Sequence, residues 1–400
     1  MSVLLSELLV ELNEKVRSPV SGSLDNTKRV RGLNRTLEDL QDYADWDFTK
    51  RTKTFYFIDG VYEYSLQNYI GCTCQDNDGS SSILDFKNAY DLRPISYPDQ
   101  SLTGNRDVKE VRENIRRNRF IGEYAPDNGL LVVNYPRQVS GVLHNCDSLT
   151  ADGTWAASGN ASNLTLDQQT FKEGNGALNF DVSAGTSLIL TNSTFTAKNY
   201  EALQNKSHII MWVYLPTITN FTSIRLRWGS SSTAYWEKTE TVPAGQTTLK
   251  AGWNLFAFRW ASATETSSPD VTAIDYLQIV LTYSGSTTAT DFRIDDIRIG
   301  KEVEMELDYY SLAMVKDAAG DYQLEFDPDD VTQTDELLGG VTARNAVSKG
   351  AIYECFQMIG GKSQRDQTDS LELYEQKKKE LFAKCGHRLR KPTRVLNFAR

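Results

Sequence analysis

The sequence has few of the residues, and none of the short motifs, on which most catalytic sites depend. Its three histidines, His144, His208 and His387, lie in different segments, and His208 falls in an apolar strand pattern that predicts a structural role. P-loop, dinucleotide-binding, G-x-S-x-G and H-E-x-x-H motifs are all missing. Asp295 and Asp296 are adjacent on a predicted strand, so they point to opposite faces and cannot act as a catalytic pair. Other carboxylate pairs are neither indicated nor excluded, and we predict that the protein is not an enzyme.

Cysteines and long apolar runs are also scarce. The five cysteines are too few and too scattered to predict a disulfide framework, and they are Cys72, Cys74, Cys146, Cys355 and Cys385. The stretch from Met1 to Leu12 has no basic start and no small-residue cleavage site, unlike a secretory signal. No run approaches the roughly 18 apolar residues of a membrane-spanning helix. We therefore expect reduced thiols, a chain that is not secreted, and no membrane partner.

Charge is unevenly distributed along the chain. The net charge of −10 argues against broad binding to nucleic acid or anionic membrane. Residues 301–340 contain twelve acids and two lysines, whereas residues 377–400 contain nine Lys or Arg and a single acid, Glu380. This asymmetry predicts contacts of matching sign with partners or with other copies of the chain.

Composition changes sharply between residues 146 and 300. Charge falls, Ser, Thr and Asn rise, and six of the seven tryptophans lie here. Strand-like runs with turns between them recur at 177–182, 187–191, 208–215, 223–228, 254–260, 276–283 and 291–299. Several alternate apolar and polar residues, as strands with one solvated face do. We predict an all-β sandwich or jelly roll at 146–300.

Helical patterns flank this region on both sides. Apolar residues at three- and four-residue spacing predict helices near 4–12, 30–46, 341–359 and 366–384, and a short basic helix at 107–119. Asp59-Gly60 between two apolar runs predicts a hairpin. Because neither end has enough helix for a core of its own, we predict one discontinuous α-helical domain with small β elements, at 1–145 and 301–390. The chain is then an α+β multidomain protein in which the sandwich is an insertion.

The 146–300 region resembles a carbohydrate-binding module of the galactose-binding-like jelly-roll type. The resemblance rests on 145–155 (NCDSLTADGTW), 171–180 (FKEGNGALNF) and 292–299 (FRIDDIRI). In that family a calcium ion is often held where Asp147, the backbone of 172–174 and Asp296 lie here. The resemblance thus implies a structural Ca²⁺ as the only cofactor; a salt bridge or a hydrogen-bonded acid is the alternative.

Sugar binding needs exposed aromatic faces beside polar groups. Trp155, Tyr235 and Trp236 lie next to turn-like polar sequence, so they are the predicted carbohydrate-binding residues. The remaining four tryptophans of the region fall within strand patterns that predict core positions, and they are Trp212, Trp228, Trp253 and Trp260. Whether the module binds a glycan is left open by the sequence.

The flanking segments resemble the head-to-tail connector, or adaptor, proteins of tailed bacteriophages. The resemblance covers about 1–145 and 301–390, and it rests on 29–40 (RVRGLNRTLEDL), 55–66 (FYFIDGVYEYSL), 346–362 (AVSKGAIYECFQMIGGK) and 371–381 (LELYEQKKKEL). It implies a structural virion protein that forms a ring, usually of twelve copies, between portal and tail. The implied partners are itself, the portal, tail or neck proteins, transiently the genomic DNA, and glycans through the sandwich. The implied location is the virion neck, assembled in the bacterial cytoplasm.

The basic C-terminal segment, 385–400, contains proline and shows no helical period, which predicts an extended arm that orders on docking. In such adaptors an arm docks typically against the portal, and the docking residues predicted here are Arg388, Arg390, Lys391, Arg394, Phe398 and Arg400. A solvated tail is the alternative. For the whole chain, the alternative to a connector is a non-catalytic lectin or adhesin of a tail or fibre, and a glycan-degrading enzyme with an appended module is a further one.

Overall fold

A computed structural model describes residues 3–16, 25–58, 60–75, 82–94, 109–110, 123–127, 129–134, 139–246, 248–329, 333–359 and 364–389. The chain divides into two compact units. Unit 1 comprises Met1–Lys53, Gly71–Leu92 and Leu307–Arg400, and unit 2 comprises Thr54–Ile70 and Arg93–Glu306. Unit 2 thus contains the predicted sandwich and also segments that the sequence assigned to the helical frame.

The secondary structure of the described residues is dominated by strands. The α-helices are α1 (Leu5–Lys15), α2 (Asn26–Tyr43), α3 (Gly340–Ile359) and α4 (Gln364–Cys385). Short 3-10 or π turns lie at Asp47–Thr49, Leu66–Ile70, Glu201–Leu203 and Trp260–Ser262. The strands before the sandwich are β1 (Val3–Leu4), β2 (Ala44–Trp46), β3 (Lys50–Phe57), β4 (Glu63–Ser65), β5 (Thr73–Gln75), β6 (Ser82–Leu84), β7 (Asn88–Pro94), β8 (Lys109–Glu110), β9 (Glu123–Asp127) and β10 (Leu130–Asn134).

The sandwich strands are β11 (Val139–His144), β12 (Trp155–Gly159), β13 (Ala161–Asp167), β14 (Ala177–Asn192), β15 (Ser207–Leu215), β16 (Phe221–Gly229), β17 (Tyr235–Glu240), β18 (Gly252–Arg259), β19 (Thr264–Thr266) and β20 (Tyr276–Lys301). The strands after it are β21 (Val303–Tyr310), β22 (Val315–Lys316), β23 (Tyr322–Gln323), β24 (Glu336–Leu337) and β25 (Gly386–Leu389).

The two longest strands, β14 and β20, give unit 2 its two layers. The first half of β20 pairs with β16 and with the second half of β14, in a layer ordered β12-β14-β20-β16-β17-β19. The second half of β20 pairs with β15 and β11, while the first half of β14 pairs with β13. β14 and β20 stay paired with each other in both layers, while the strands on their other edges change, and the two layers enclose one core. The prediction of an inserted β-sandwich is confirmed.

The core of unit 2 is rich in aromatic side chains. Trp228, Trp260, Tyr283 and Phe258 are at most 2% exposed, and they pack among aliphatic residues that alternate along β15, β16 and β20. The indole rings of Trp228 and Trp260 meet edge to face, with centroids 5.7 Å apart. Such alternation leaves the other side of the same strands free to carry polar residues.

Unit 1 is held together by the apolar faces of its helices. The buried residues Leu33 and Leu37 of α2 and Val347 and Ala351 of α3 belong to one cluster. A Cβ added at Gly32 would lie 3.2 Å from Cys355 Sγ, so α2 and α3 pack closely there. All four long helices that the sequence predicted are present, with ends shifted by a few residues. None of the helices in the described ranges is long and apolar enough to cross a membrane.

Two local predictions are wrong. The runs around Asp59-Gly60 do not form a hairpin, because β3 pairs in the order β3-β21-β7, whereas β4 pairs with β10. Gly60 has the positive φ, +80°, that such a turn requires, but β3 and β4 each pair with distant strands instead of with each other. Of the predicted helix at 107–119, Lys109–Glu110 is strand β8, paired with β9, and the remaining residues lie outside those described.

Candidate functional site

Two of the three aromatic residues predicted to contact sugar are buried. Trp155 is 4% exposed, and its Nε1 donates to His144 Nε2 at 3.3 Å. Trp236 is 3% exposed, and its Nε1 donates to Glu265 Oε2 at 3.3 Å. The predicted exposure of both is therefore wrong, since each lies on the inward side of its strand and packs into the core of unit 2.

Tyr235 is the predicted residue that reaches solvent. It precedes Trp236 on β17, so the two side chains point to opposite sides of the strand, and Tyr235 is half-buried on the outer side. It belongs there to a group of mostly polar, half-buried side chains that we call the polar face, which comprises Thr191, Arg225, Arg227, Tyr235, Glu237 and Gln278.

Strand register brings four of these residues into one row across four strands. Thr191 on β14 lies opposite Gln278 on β20, Gln278 lies opposite Arg227 on β16, and Arg227 lies opposite Glu237 on β17. Directly opposed residues of antiparallel strands have Cβ atoms about 4.5–5.5 Å apart. The row is thus a product of the pairing register, with every member on the outer surface of the same layer.

Hydrogen bonds connect the members of this row. Gln278 Nε2 donates to Thr191 Oγ1 at 3.4 Å, and Arg227 Nη1 donates to Gln278 Oε1 at 3.2 Å. Arg227 Nε donates to Glu237 Oε2 at 2.8 Å, while Arg225 Nη1 lies 3.8 Å from the same oxygen. The guanidinium of Arg227 also lies 4.3 Å from the ring centroid of Tyr235. The planar groups are therefore held in place by hydrogen bonds to one another.

The polar face can serve either of two purposes. Cross-strand ion pairs and amide bonds stabilise a sheet surface modestly, by roughly 0.2–1 kcal/mol each. The same groups can also present several donors and acceptors beside an aromatic ring, because Arg227 has five N–H donors and only part of them is used within the row. Ligands that carry many hydroxyl groups are matched by this second arrangement.

The acids assigned to calcium by resemblance already have partners. Asp147 Oδ1 accepts from the backbone N–H groups of Asn175 and Gly176, at 2.6 and 3.0 Å, and so closes the glycine loop. Asp296 Oδ2 lies 2.6 Å from Arg298 Nε. These contacts match the alternative to calcium that the sequence left open, namely a hydrogen-bonded acid at Asp147 and a salt bridge at Asp296. In the part of the chain that the structure describes, no group of three His, Cys, Asp or Glu side chains is placed to hold a metal ion, and a calcium ion at Asp147, the backbone of 172–174 and Asp296 stays a prediction.

Asp295, which the resemblance did not assign, bonds to the same loop as Asp147 does. Its Oδ2 accepts from the backbone N–H groups of Lys172 and Glu173, at 2.6 and 3.0 Å. Burial raises the pKa of Asp295, and burial followed by the charges of Asp295, Asp296 and Asp147 raises that of Cys146. The negative charges of these three acids therefore act together on the buried thiol of Cys146.

The strand pattern was right for two tryptophans and wrong for two. Trp228 and Trp260 are in the core as predicted, but Trp212 and Trp253 are only half-buried and are not part of it. His208, for which the sequence predicts a structural role, is buried. It is 5% exposed, and burial lowers its pKa to about 3, so it stays neutral at ordinary pH.

The predicted C-terminal arm lies mostly outside the described residues. The backbone of 386–389 forms strand β25, which pairs with β2. Arg390, Lys391, Arg394, Phe398 and Arg400 are not among the described residues, and the side chain of Arg388 is not described either. Docking of the arm stays a prediction.

Comparisons with known proteins give structural likeness only. No family model and no curated protein matches the chain. A solved structure described as a study of carbohydrate-binding modules from the β-sandwich superfamily is 14% identical, with a TM-score of 0.28, and covers 42% of this chain. The chain spans 65% of that structure, which is less than two thirds of its length.

The family 11 carbohydrate-binding module of Clostridium thermocellum, solved with a β-1,3-1,4-mixed-linked tetrasaccharide, is 10% identical. Its TM-score is 0.29, and the match covers 40% of this chain and 95% of the module. The family 30 module of a cellulosomal cellulase from the same organism is 12% identical with a TM-score of 0.29, over 41% of this chain and 94% of that one. Because these scores are low, the function proposed below rests on the side chains of this protein alone.

Proposed function

We propose that unit 2 is a non-catalytic glycan-binding module whose site is the polar face. The observation that carries this proposal is the hydrogen-bonded row formed by Thr191, Gln278, Arg227 and Glu237, with Tyr235 beside it. A sugar has apolar C–H faces and a rim of hydroxyl groups, and each hydroxyl both donates and accepts. A guanidinium, a carboxylate and an amide beside one aromatic ring supply the matching donors, acceptors and apolar contact.

Preorganisation is the second argument for this site. Arg227 and Glu237 are each less than one third exposed, and they are tied to neighbouring strands rather than extended into solvent. A ligand therefore need not order them, and the entropy lost on binding is smaller than for free surface side chains. The row also crosses four strands, which suits an extended oligosaccharide more than a single sugar.

A glycan array followed by titration calorimetry tests this proposal. Arg227→Ala should weaken binding of the best glycan by about tenfold, since it removes charge-assisted bonds. Thr282→Ala is the matched control, because Thr282 is also half-buried, on β20 in the same layer, but outside the row. If no glycan binds, or if Arg227→Ala binds as tightly as the wild type, the polar face is not a glycan site.

For the whole chain we propose a connector role in a phage neck, with the glycan-binding module attached. What supports it is that unit 1 unites both ends of the chain with an internal segment, so the sandwich region interrupts it. The uneven charge of 301–340 and 377–400 suits contacts between copies in a ring. Electron microscopy of the protein mixed with the portal of the same phage should show stacked rings, and removal of 390–400 should weaken that association. A protein that binds glycans but never associates with portal is a lectin instead.

A further inference from the structure

A cavity separate from the polar face lies on the β15–β18 side of unit 2. Its volume is about 380 Å³, and every lining residue belongs to unit 2. Three partly exposed aromatic side chains line it, namely Tyr62, which is 48% exposed, Trp212 and Trp253. Aromatic rings that stay partly exposed around one concave space are typical of ligand sites, since a core would bury them. We call this space the aromatic cavity.

The wall that carries Tyr62 is held by a buried tyrosine. Tyr64 is fully buried, its hydroxyl accepts from Ile58 N at 2.9 Å, and it also lies 3.1 Å from the carbonyl oxygen of Val61. The backbone of Tyr62 is fixed as well, because its carbonyl accepts from Val133 N at 2.8 Å. The turn before β4 is therefore braced from both sides, and Tyr62 is presented from a fixed backbone.

Two loops that also line the cavity are held by hydrogen bonds. Ser65 N donates to Gly245 O at 2.7 Å, and Gln246 Nε2 donates to Glu63 O at 3.0 Å, so this loop is bound to β4. Asn254 Nδ2 donates to the carbonyls of Lys250 and Gly252, at 2.8 and 2.9 Å, which closes the turn that presents Trp253. The cavity thus has walls that do not need a ligand to form them.

The charges around the two tryptophans narrow the class of ligand. The ammonium of Lys172 lies 4.8 Å from the ring centroid of Trp212 and 5.9 Å from that of Trp253. A second cation over the same rings would be repelled, which disfavours quaternary ammonium ligands. Lys250 and Glu63, which both line the cavity, have opposite charges, so the lining itself carries no net charge. The remaining polar groups in the wall include the Thr248 hydroxyl and the Gln246 amide.

We propose that the aromatic cavity is a second binding site of unit 2, and that it takes the rings of a neutral glycan. The apolar faces of such a ligand contact Trp212, Trp253 and Tyr62, while its hydroxyl groups bond to the amide, hydroxyl and backbone groups of the walls. This site shares no residue with the polar face. It therefore stands even if the polar face binds nothing.

Calorimetry and tryptophan fluorescence with cellotetraose, laminaritetraose, maltotetraose and β-1,4-galactotetraose test this inference. At least one of these should bind to the Arg227→Ala protein, in which the polar face is disabled, and should change its fluorescence. In that background Trp212→Ala and Trp253→Ala should each weaken binding by about tenfold. Trp212→Phe and Trp253→Phe keep an aromatic ring and should restore most of the affinity, while unfolding midpoints show that every variant is folded.

Several results would overturn the assignment. If none of the four tetrasaccharides binds, or if the alanine variants bind as the Arg227→Ala parent does, the aromatic cavity is not a neutral-glycan site. If tetramethylammonium or adenosine binds with loss in the same variants while the sugars do not, the site is real but its ligand class is wrong. Loss of all binding in Arg227→Ala alone places the glycan on the polar face only.

Discussion

The polar face and the aromatic cavity are built in opposite ways within one unit. The polar face lies on regular strands, and its residues meet because β14, β20, β16 and β17 pair in one register. The aromatic cavity is made where three distant segments meet, and side-chain and backbone hydrogen bonds hold each of them. The geometry of a site on paired strands is fixed by the whole sheet. The geometry of a site between loops depends on each hydrogen bond that holds a loop. We therefore expect single substitutions away from the ligand to harm the cavity far more than the face.

The largest effect should come from Gly245. Its φ is +70°, and an added Cβ would lie 2.7 Å from Glu63 O and 2.8 Å from Val61 Cγ1. Gly245→Ala should lower the free energy of unfolding of unit 2 by about 3 kcal/mol and abolish binding in the cavity, while leaving binding at the polar face. Urea denaturation followed by tryptophan fluorescence measures the change in unfolding free energy, because six of the seven tryptophans lie in unit 2. Gly252→Ala is the control within unit 2, since Gly252 also has a positive φ, +106°, and an added Cβ would meet only Tyr214 Cε2, at 4.0 Å, so it should cost only about 1 kcal/mol.

The next effect is a pH dependence that could be mistaken for titration of the polar face. Glu240 ends β17, which also carries Tyr235, and burial raises its pKa from 4.5 to about 7, against a smaller opposing effect of Lys238. Between these values the folded protein holds a proton that the unfolded chain has lost, so this contribution to stability falls as pH rises from 4.5 through about 7. Glu240→Gln should be more stable than the wild type by about 2 kcal/mol at alkaline pH and similar to it under acid conditions.

Unfolding free energies measured across pH check the behaviour of Glu240. His208, Arg259 and Tyr69 line a cavity with Glu240, and His208 contributes the opposite trend. Because burial lowers the pKa of His208 to about 3, its contribution is lost as pH falls below its ordinary value of 6.5. Equal pH profiles for Glu240→Gln and wild type would show that Glu240 does not carry this dependence.

Asn254 gives a smaller effect, specific to the cavity. Asn254→Ala removes two donors and one acceptor from the turn 250–254, and it should cost about 2 kcal/mol, or somewhat less if water enters. The turn that presents Trp253 is then loosened, so binding in the cavity should weaken several-fold with no change at the polar face. Titration of both sites in the same protein measures this. Equal losses at both sites would mean that the two are not structurally independent.

The smallest effect is expected at the end of the row. The bond from Gln278 Nε2 to Thr191 Oγ1 is long, at 3.4 Å, and neither group is deeply buried. Thr191→Val should therefore change the unfolding free energy by less than about 0.5 kcal/mol and glycan affinity at the polar face by less than about threefold. A loss as large as that of Arg227→Ala would mean that the ligand contacts Thr191 directly.

Much of the secondary structure could be predicted from the sequence, because periodicity is local. The apolar spacing of α1 to α4 and the strand runs between 177 and 299 both appear in the structure. What periodicity does not show is which side of a strand faces inward. On β15, Ile209, Met211 and Val213 are buried, so Trp212 faces outward. The run around it is apolar throughout, and no alternation of polar residues marks that difference.

The candidate sites were less predictable than the fold for the same reason. Tyr235 was found because it adjoins a polar turn, but Trp236 beside it must then point the other way, into the core. Arg227 and Glu237 form an ordinary alternating pattern, and their pairing depends on register between strands that the sequence does not state. Tyr62 was assigned to a predicted hairpin and therefore not considered as a site residue. That hairpin does not form, since β4 pairs with β10 instead.

The sequence by itself determined that a β-rich region interrupts a chain with helices at both ends, because composition and periodicity are properties of neighbouring residues. It also showed which aromatic residues are available to contact a ligand. Only the tertiary structure decided which of them are exposed, which strands bring Arg227 to Glu237, and which loops enclose Trp212 and Trp253. These features depend on contacts between residues that are far apart in the chain. The burial and the hydrogen bonds that determine them exist only in the folded protein.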